Sequence, residues 1–178
     1  MAFLVLAYPE ISKADFEEIQ KFRSRHDALY YHVVQPHFTI VFPIENIPIN
    51  IFKAEVISKA KAVNKLSFIL RSAVVNKDAF SNHYHIFLVP DEGFGSVIRL
   101  HDLMYSGSFK ENHRLDIDFI PHIGIGNSTD KVAVKAWVDD WNSKDFSIKG
   151  QISSLTIIQY ENGKVENVLD VRLNENQE

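Results

Sequence analysis

Pro36-His37-Phe38-Thr39-Ile40 is the stretch on which the fold turns, because the chain spells it again as Pro121-His122-Ile123-Gly124-Ile125. Both copies read proline, histidine, apolar, variable, isoleucine, and their histidines stand 85 positions apart (122 − 37). In extended backbone, residues two apart point to the same face. His37 and Thr39 therefore project together, with Phe38 and Ile40 packing behind them. His122 and position 124 share a face in the same way, backed by Ile123 and Ile125. A helix is predicted after each copy. Two similar lobes facing each other place the two histidines across one cleft.

Outward from these stretches, the hydrophobic period switches between two and about 3.6. Residues 2–8 read as a buried strand stopped by Pro9. Ser12 opens a helix with Asp15 three residues on, a variant of the capping box. Phe16, Ile19, Phe22, His26 and Leu29 form its apolar stripe. Residues 36–42 read as a strand, Pro43 and Pro48 bracket a loop, and a helix is predicted from Ile51 to Asn64. Its Lys53, Lys59 and Lys61, with Lys65 just beyond, read as a solvated face ahead of a phosphate-steering patch. Strands are predicted at 66–75 and at 83–89, where Pro90 stops the second. A helix containing Val97, Ile98, His101 and Met104 follows. Residues 114–125 alternate as a further strand, and a helix begins at Thr129. Two strands, 152–160 and 164–173, flank Asn162-Gly163, a pair that favours a type I′ hairpin turn. Hairpins mixed with crossovers favour an α+β fold, bilobal, with antiparallel-rich sheets, packed helices and a central cleft, over a doubly wound α/β sheet. Residues 1–178 are expected to form a single domain of two intimately packed lobes, since no Pro-, Gly- or Ser-rich linker divides them.

Composition narrows the chemistry. Of 178 residues 46% are apolar and 24% charged, enough for a sizeable core and against general disorder. There is no cysteine, so disulfides, thiolate zinc sites and a Cys nucleophile are excluded. A net charge of −4 gives no wide basic footprint for long nucleic acid. The N-terminal apolar run is too short for a signal-peptide core or a membrane span. A soluble, cytoplasmic monomer is expected.

Two histidines across a cleft suit phosphoryl chemistry. With an unperturbed pKa near ~6.5, one imidazole can be neutral while the other is protonated. The neutral ring deprotonates a hydroxyl or water attacking phosphorus, and the protonated ring gives its proton to the leaving oxygen. Each transfer contributes roughly 10²–10⁴-fold. The Thr39 hydroxyl and nearby N–H groups would hold the phosphoryl oxygens. No metal or other cofactor is called for.

His37-Phe38-Thr39-Ile40 resembles the H-x-T-x motif of the 2H phosphoesterase superfamily, the 2′-5′ RNA ligase and cyclic phosphodiesterase group, and His122-Ile123-Gly124-Ile125 resembles its second copy. The separation, the prolines, the helices after each copy and the closing hairpin extend the resemblance over most of the chain. It implies a bilobal fold with pseudo-twofold symmetry. It also implies metal-independent cleavage or formation of phosphodiesters, typically 2′,3′-cyclic phosphates on nucleotides or RNA ends. His37 and His122 map onto the catalytic pair, His37 as proton donor and His122 as acceptor, and Thr39 onto the phosphate-binding hydroxyl. Gly124 departs from the pattern, which has Thr or Ser there. One lost hydrogen bond to a charged group is worth roughly 1.5–3 kcal/mol. Backbone N–H groups of Gly124-Ile125-Gly126, or Ser128 or Thr129, are the available substitutes.

Two other readings stay open. A binding module of the same fold would hold a nucleotide or RNA end without turnover. A metalloenzyme using His83 and His85, two apart on a strand, would be sensitive to chelators and survive loss of His37. The two-histidine enzyme instead predicts a bell-shaped pH profile around neutrality and indifference to chelators. Asp116 and Asp118 would share the His122 face if the strand is regular, so that one could orient its ring. Gly93-Phe94-Gly95 reads as a turn and Trp137 and Trp141 as core.

Overall fold

The computed structural model describes residues 1–175, which form nine strands and four α-helices. Strand β1 (Ala2–Ala7) is the N-terminal apolar run, and its position explains its composition. It lies between β3 (Phe38–Glu45) and β8 (Ser154–Glu161) in a four-stranded antiparallel sheet of order β3-β1-β8-β9. With both faces covered, its side chains on either side are buried, from Phe3 through Ala7 except Leu4; a strand buried on both faces reads as a continuous apolar run. The last strand, β9 (Lys164–Arg172), joins β8 through Asn162 and Gly163 at φ 50° and 76°, with Glu161 opposite Lys164. This is the predicted type I′ hairpin.

The second sheet has the order β2-β7-β4-β5-β6, built from β2 (Glu10–Ile11), β4 (Leu66–Lys77), β5 (Tyr84–Glu92), β6 (Ile123–Ser128) and β7 (Ile148–Ile152). Each sheet therefore carries one copy of the repeated pentapeptide on an edge strand, β3 in the first and β6 in the second. The helices pack crosswise. Helix α1 (Lys13–His26) lies on β6, and α3 (Phe94–Met104) lies on β3, while α2 (Ile49–Ala60) meets β9 and α4 (Lys131–Asn142) meets β4. Each edge strand is thus covered by a helix from the other half of the chain.

Helix ends follow local chemistry. The Ser12 hydroxyl accepts the Asp15 N–H at 3.1 Å and donates to the Asp15 carboxylate at 2.6 Å, which is the predicted capping variant. Asp130 caps α4 by accepting from the N–H groups of Val132 and Ala133. Gly93 caps α3 at φ 84°, where a Cβ would stand 2.4 Å from the Ser67 carbonyl oxygen.

Several sequence expectations are corrected. Pro43 does not end β3, and Pro90 does not end β5. Both occupy positions where a missing N–H costs no ladder bond: β3 is an edge strand, and β5 has lost its β6 neighbour beyond Leu88. Residues 114–122 are irregular and not strand, so Asp116 and Asp118 share no strand face with His122. Asp116 instead accepts from Nε and Nη2 of Arg114, at 2.8 and 2.7 Å, in a local turn. Strand β7 went unpredicted because its residues, Ile-Lys-Gly-Gln-Ile, are too polar and too few to show a period. Leu29 lies beyond the end of α1 and is exposed.

Candidate functional site

The alternation read from the repeats is present in both sheets. Phe38 and Ile40, and likewise Ile123 and Ile125, are fully buried. His37, Thr39, His122 and Gly124 are half-buried on the opposite side. Each histidine precedes its strand by one residue, and each makes the same bond. His37 Nδ1 donates to the Gln35 carbonyl at 2.7 Å, and His122 Nδ1 donates to the Ile120 carbonyl at 2.6 Å. A neutral imidazole that donates from Nδ1 keeps its lone pair on Nε2. No hydrogen bond engages either Nε2 among the described residues. Both rings are therefore held in one tautomer, with the basic nitrogen free.

The rings are further fixed by aromatic neighbours. Phe87 of β5 stacks on His122 with centroids 3.4 Å apart and planes 15° from parallel. Tyr8 meets His37 edge-on at 6.2 Å. Burial lowers the pKa of both histidines to about 4, against the carbonyl bonds, which favour the charged ring. Charge on His37 depresses His122 further, as does charge on His85, so the structure brings the two motif histidines within each other's field.

The loop that carries His37 is tied to the strand that carries His122. Arg23, buried in α1, pairs with Asp27 at 2.8 Å and donates to the carbonyls of Tyr30 at 3.2 Å and Val34 at 2.8 Å. Asp27 in turn accepts the Tyr30 N–H and the side-chain amide of Asn127 on β6. One buried ion pair thus shapes residues 27–34 and anchors them across to the second motif's strand. Sequence reading missed this network. Its one visible signal was Arg23 and Asp27 at i, i+4 spacing, with Arg23 beside the apolar stripe.

Gly124 stands opposite Phe87, and a Cβ built on it meets no atom within 4 Å. The absent hydroxyl therefore leaves open space beside His122. Gly126, two residues on, is closed in by the His26 carbonyl and Ile86.

Other sequence candidates resolve against a role here. His83 precedes β5 and lies 3.2 Å from the Ser81 hydroxyl. His85 Nε2 pairs with the Asp78 carboxylate at 3.0 Å, so the two histidines do not form a metal pair. Burial would raise Asp78, but N–H donors from Phe80 and Ser81, together with His85, hold it at about 2. Lys59 is occupied by Glu55 and by the carbonyls of Met104 and Ser106, which leaves α2 without a cluster of free amines. Trp141 is core, whereas Trp137 is half-buried against His26.

Two antiparallel sheets, each with a Pro-His pair just ahead of an edge strand, are the arrangement expected of a two-histidine phosphoesterase. The family model described as the 2′-5′ RNA ligase superfamily matches residues 9–164, and the chain belongs to that superfamily. Solved structures share the fold at low identity. The TT0787 protein of Thermus thermophilus matches with TM-score 0.64 and 10% identity over 99% of this chain and 100% of that one. E. coli LigT in apo form gives 0.58 and 15%, covering 98% of each chain. Kluyveromyces marxianus Usb1 gives 0.57 and 9%, covering 97% of this chain and 98% of that one. Comparison by sequence with curated proteins gives no match. No helix among the described residues is long and apolar enough to cross a membrane.

Proposed function

We propose that the protein is a metal-independent phosphoesterase that opens 2′,3′-cyclic phosphates, or cleaves 2′-5′ phosphodiesters, on nucleotides or RNA ends. The observation that carries this reading is the matched pair of Nδ1–carbonyl bonds, which leaves a free Nε2 on both rings. His122 Nε2 takes a proton from water as its oxygen bonds to phosphorus. The P–O bond to the leaving oxygen breaks, and that oxygen takes the proton carried by His37 Nε2. Reversal of both transfers gives ligation. An anionic phosphate between the rings favours the protonated form that burial opposes, so substrate and acid arrive together. Thr39 donates its hydroxyl to a phosphoryl oxygen, and the space at Gly124 admits a second oxygen or the attacking water. In support, E. coli LigT has been crystallised with 3′-AMP, with phosphate and with ATP.

The vacancy at Gly124 favours a second reading, a nucleotide- or RNA-end-binding module with little turnover. Phosphorus NMR of 2′,3′-cyclic nucleotides in EDTA separates the two, using wild type, His37→Ala and His122→Ala with folding checked by circular dichroism. Ring opening by wild type alone is the expected result. Saturable binding with no product from any form would replace the enzyme by the binding module.

A further inference from the structure

Away from the repeated motifs, a second group of histidines converges behind β3. We propose that His101, His113 and Asp102 form a site for one divalent transition-metal ion of the zinc type. His101 stands in the last turn of α3, Asp102 follows it, and His113 begins the irregular stretch that leads to His122. Ligand-capable atoms of all three lie within 4.8 Å of one another.

The spacing of the two rings fits convergence on one ion. The Nε2 atoms are 3.3 Å apart and the ring centroids 5.2 Å apart. An ion about 2.05 Å from each nitrogen, at a tetrahedral angle, sets the nitrogens about 3.35 Å apart and the centroids about 5.2 Å apart. The two nitrogens and rings therefore already stand at the spacing of two ligands of one ion.

His101 is also oriented as a ligand. Its Nδ1 donates to the Ile40 carbonyl at 2.8 Å, which fixes the lone pair on Nε2; ligating histidines almost always make such a bond. Phe119 stacks on the His101 ring at 3.5 Å and Tyr105 on the His113 ring at 4.5 Å, so both donors are preset. Exposed Asp102 gives an ion entry from solvent and supplies the charged oxygen ligand. Two imidazoles and a carboxylate leave a fourth position for water. Because Ile40 follows Thr39 and His113 leads toward His122, the ion would brace the backbone of both motifs from behind without touching phosphate.

The site does not depend on the phosphoesterase reading, and its test reads binding and stability. Chelator-treated protein is titrated with Zn²⁺ by calorimetry and with Co²⁺ by visible absorption, beside Asp102→Asn, His113→Ala and His113→Gln. Expected are one Zn²⁺ per chain, a tetrahedral Co²⁺ spectrum and a Tm raised by Zn²⁺. Both His113 variants should bind more than about tenfold more weakly and lose the Tm shift. Absence of binding overturns the proposal, and so does an affinity in both His113 variants equal to that of wild type, which would place the zinc on surface histidines.

Discussion

Gly124 is the residue at which sequence pattern and chemistry part, and the open space on it makes it testable. A serine there meets no neighbour and puts a hydroxyl beside His122. A hydrogen bond to a charged group of about 1.5–3 kcal/mol corresponds to roughly 10–100-fold, so Gly124→Ser should raise kcat/KM on cyclic phosphate within that range. Steady-state kinetics alongside a denaturation curve would separate this gain from any change in stability. The histidines make a prediction with a definite sign. Both have pKa values of about 4 in the folded protein, below the ~6.5 of an unfolded chain. The unfolded chain therefore binds protons first as pH falls, and stability should drop from about pH 6.5 toward 4. The gap between urea midpoints at pH 7.5 and 5 should shrink in the His37→Gln/His122→Gln double variant, with His26 and His101, which burial also depresses, keeping part of it. The same depression puts both rings neutral at pH 7 in the free protein, so kcat/KM should fall as pH rises above about 4. The kcat optimum should lie closer to neutrality, because bound phosphate restores the imidazolium. A bell around neutrality is therefore the expected profile of kcat and not of kcat/KM.

Among the elements, the loop between α1 and β3 depends on one ion pair. Removing one member of a buried pair typically costs 3–5 kcal/mol, so Arg23→Ala should lower the unfolding free energy by about that much. Asn127→Ala removes only the tie across to β6, a hydrogen bond to a carboxylate, and should cost about 1.5–3 kcal/mol, with a larger loss of activity than that alone explains if the tie holds His37 in place. Chemical denaturation and kinetics on the two variants check both. Gly93→Ala should destabilise by more than about 2 kcal/mol, since it combines φ 84° with a Cβ 2.4 Å from a carbonyl oxygen. At this scale the sequence was readable where a local signal is strong. The Ser12 cap, the Asn162-Gly163 turn and the alternation at 36–40 each rest on neighbours in the chain. The ends of β3 and β5 were misread because a proline stops a strand only where its N–H would face a partner, and partners are set by sheet order. The stretch 114–122 alternates in polarity yet forms no ladder, because no strand lies beside it.

In the whole molecule, the mix of hairpins and crossovers conveyed the α+β class and the repeat the presence of two halves, while the crosswise packing of α1 on β6 and α3 on β3 left no trace in the sequence. The residues that meet there, such as Asp27 and Asn127, are remote in the chain and carry no shared pattern. The arrangement of the first sheet has a consequence for how the protein is made. Strand β1 leaves the ribosome long before β8, yet Ala2 pairs with Tyr160 on one side and Glu45 on the other. Until β8 emerges from the ribosome, one edge of an almost wholly apolar strand has no partner and both its faces lack their full cover. A nascent chain stopped before residue 154 should consequently engage ribosome-associated chaperones and remain protease-sensitive, and the strand that follows His37 gains its permanent frame only once β8 has been made.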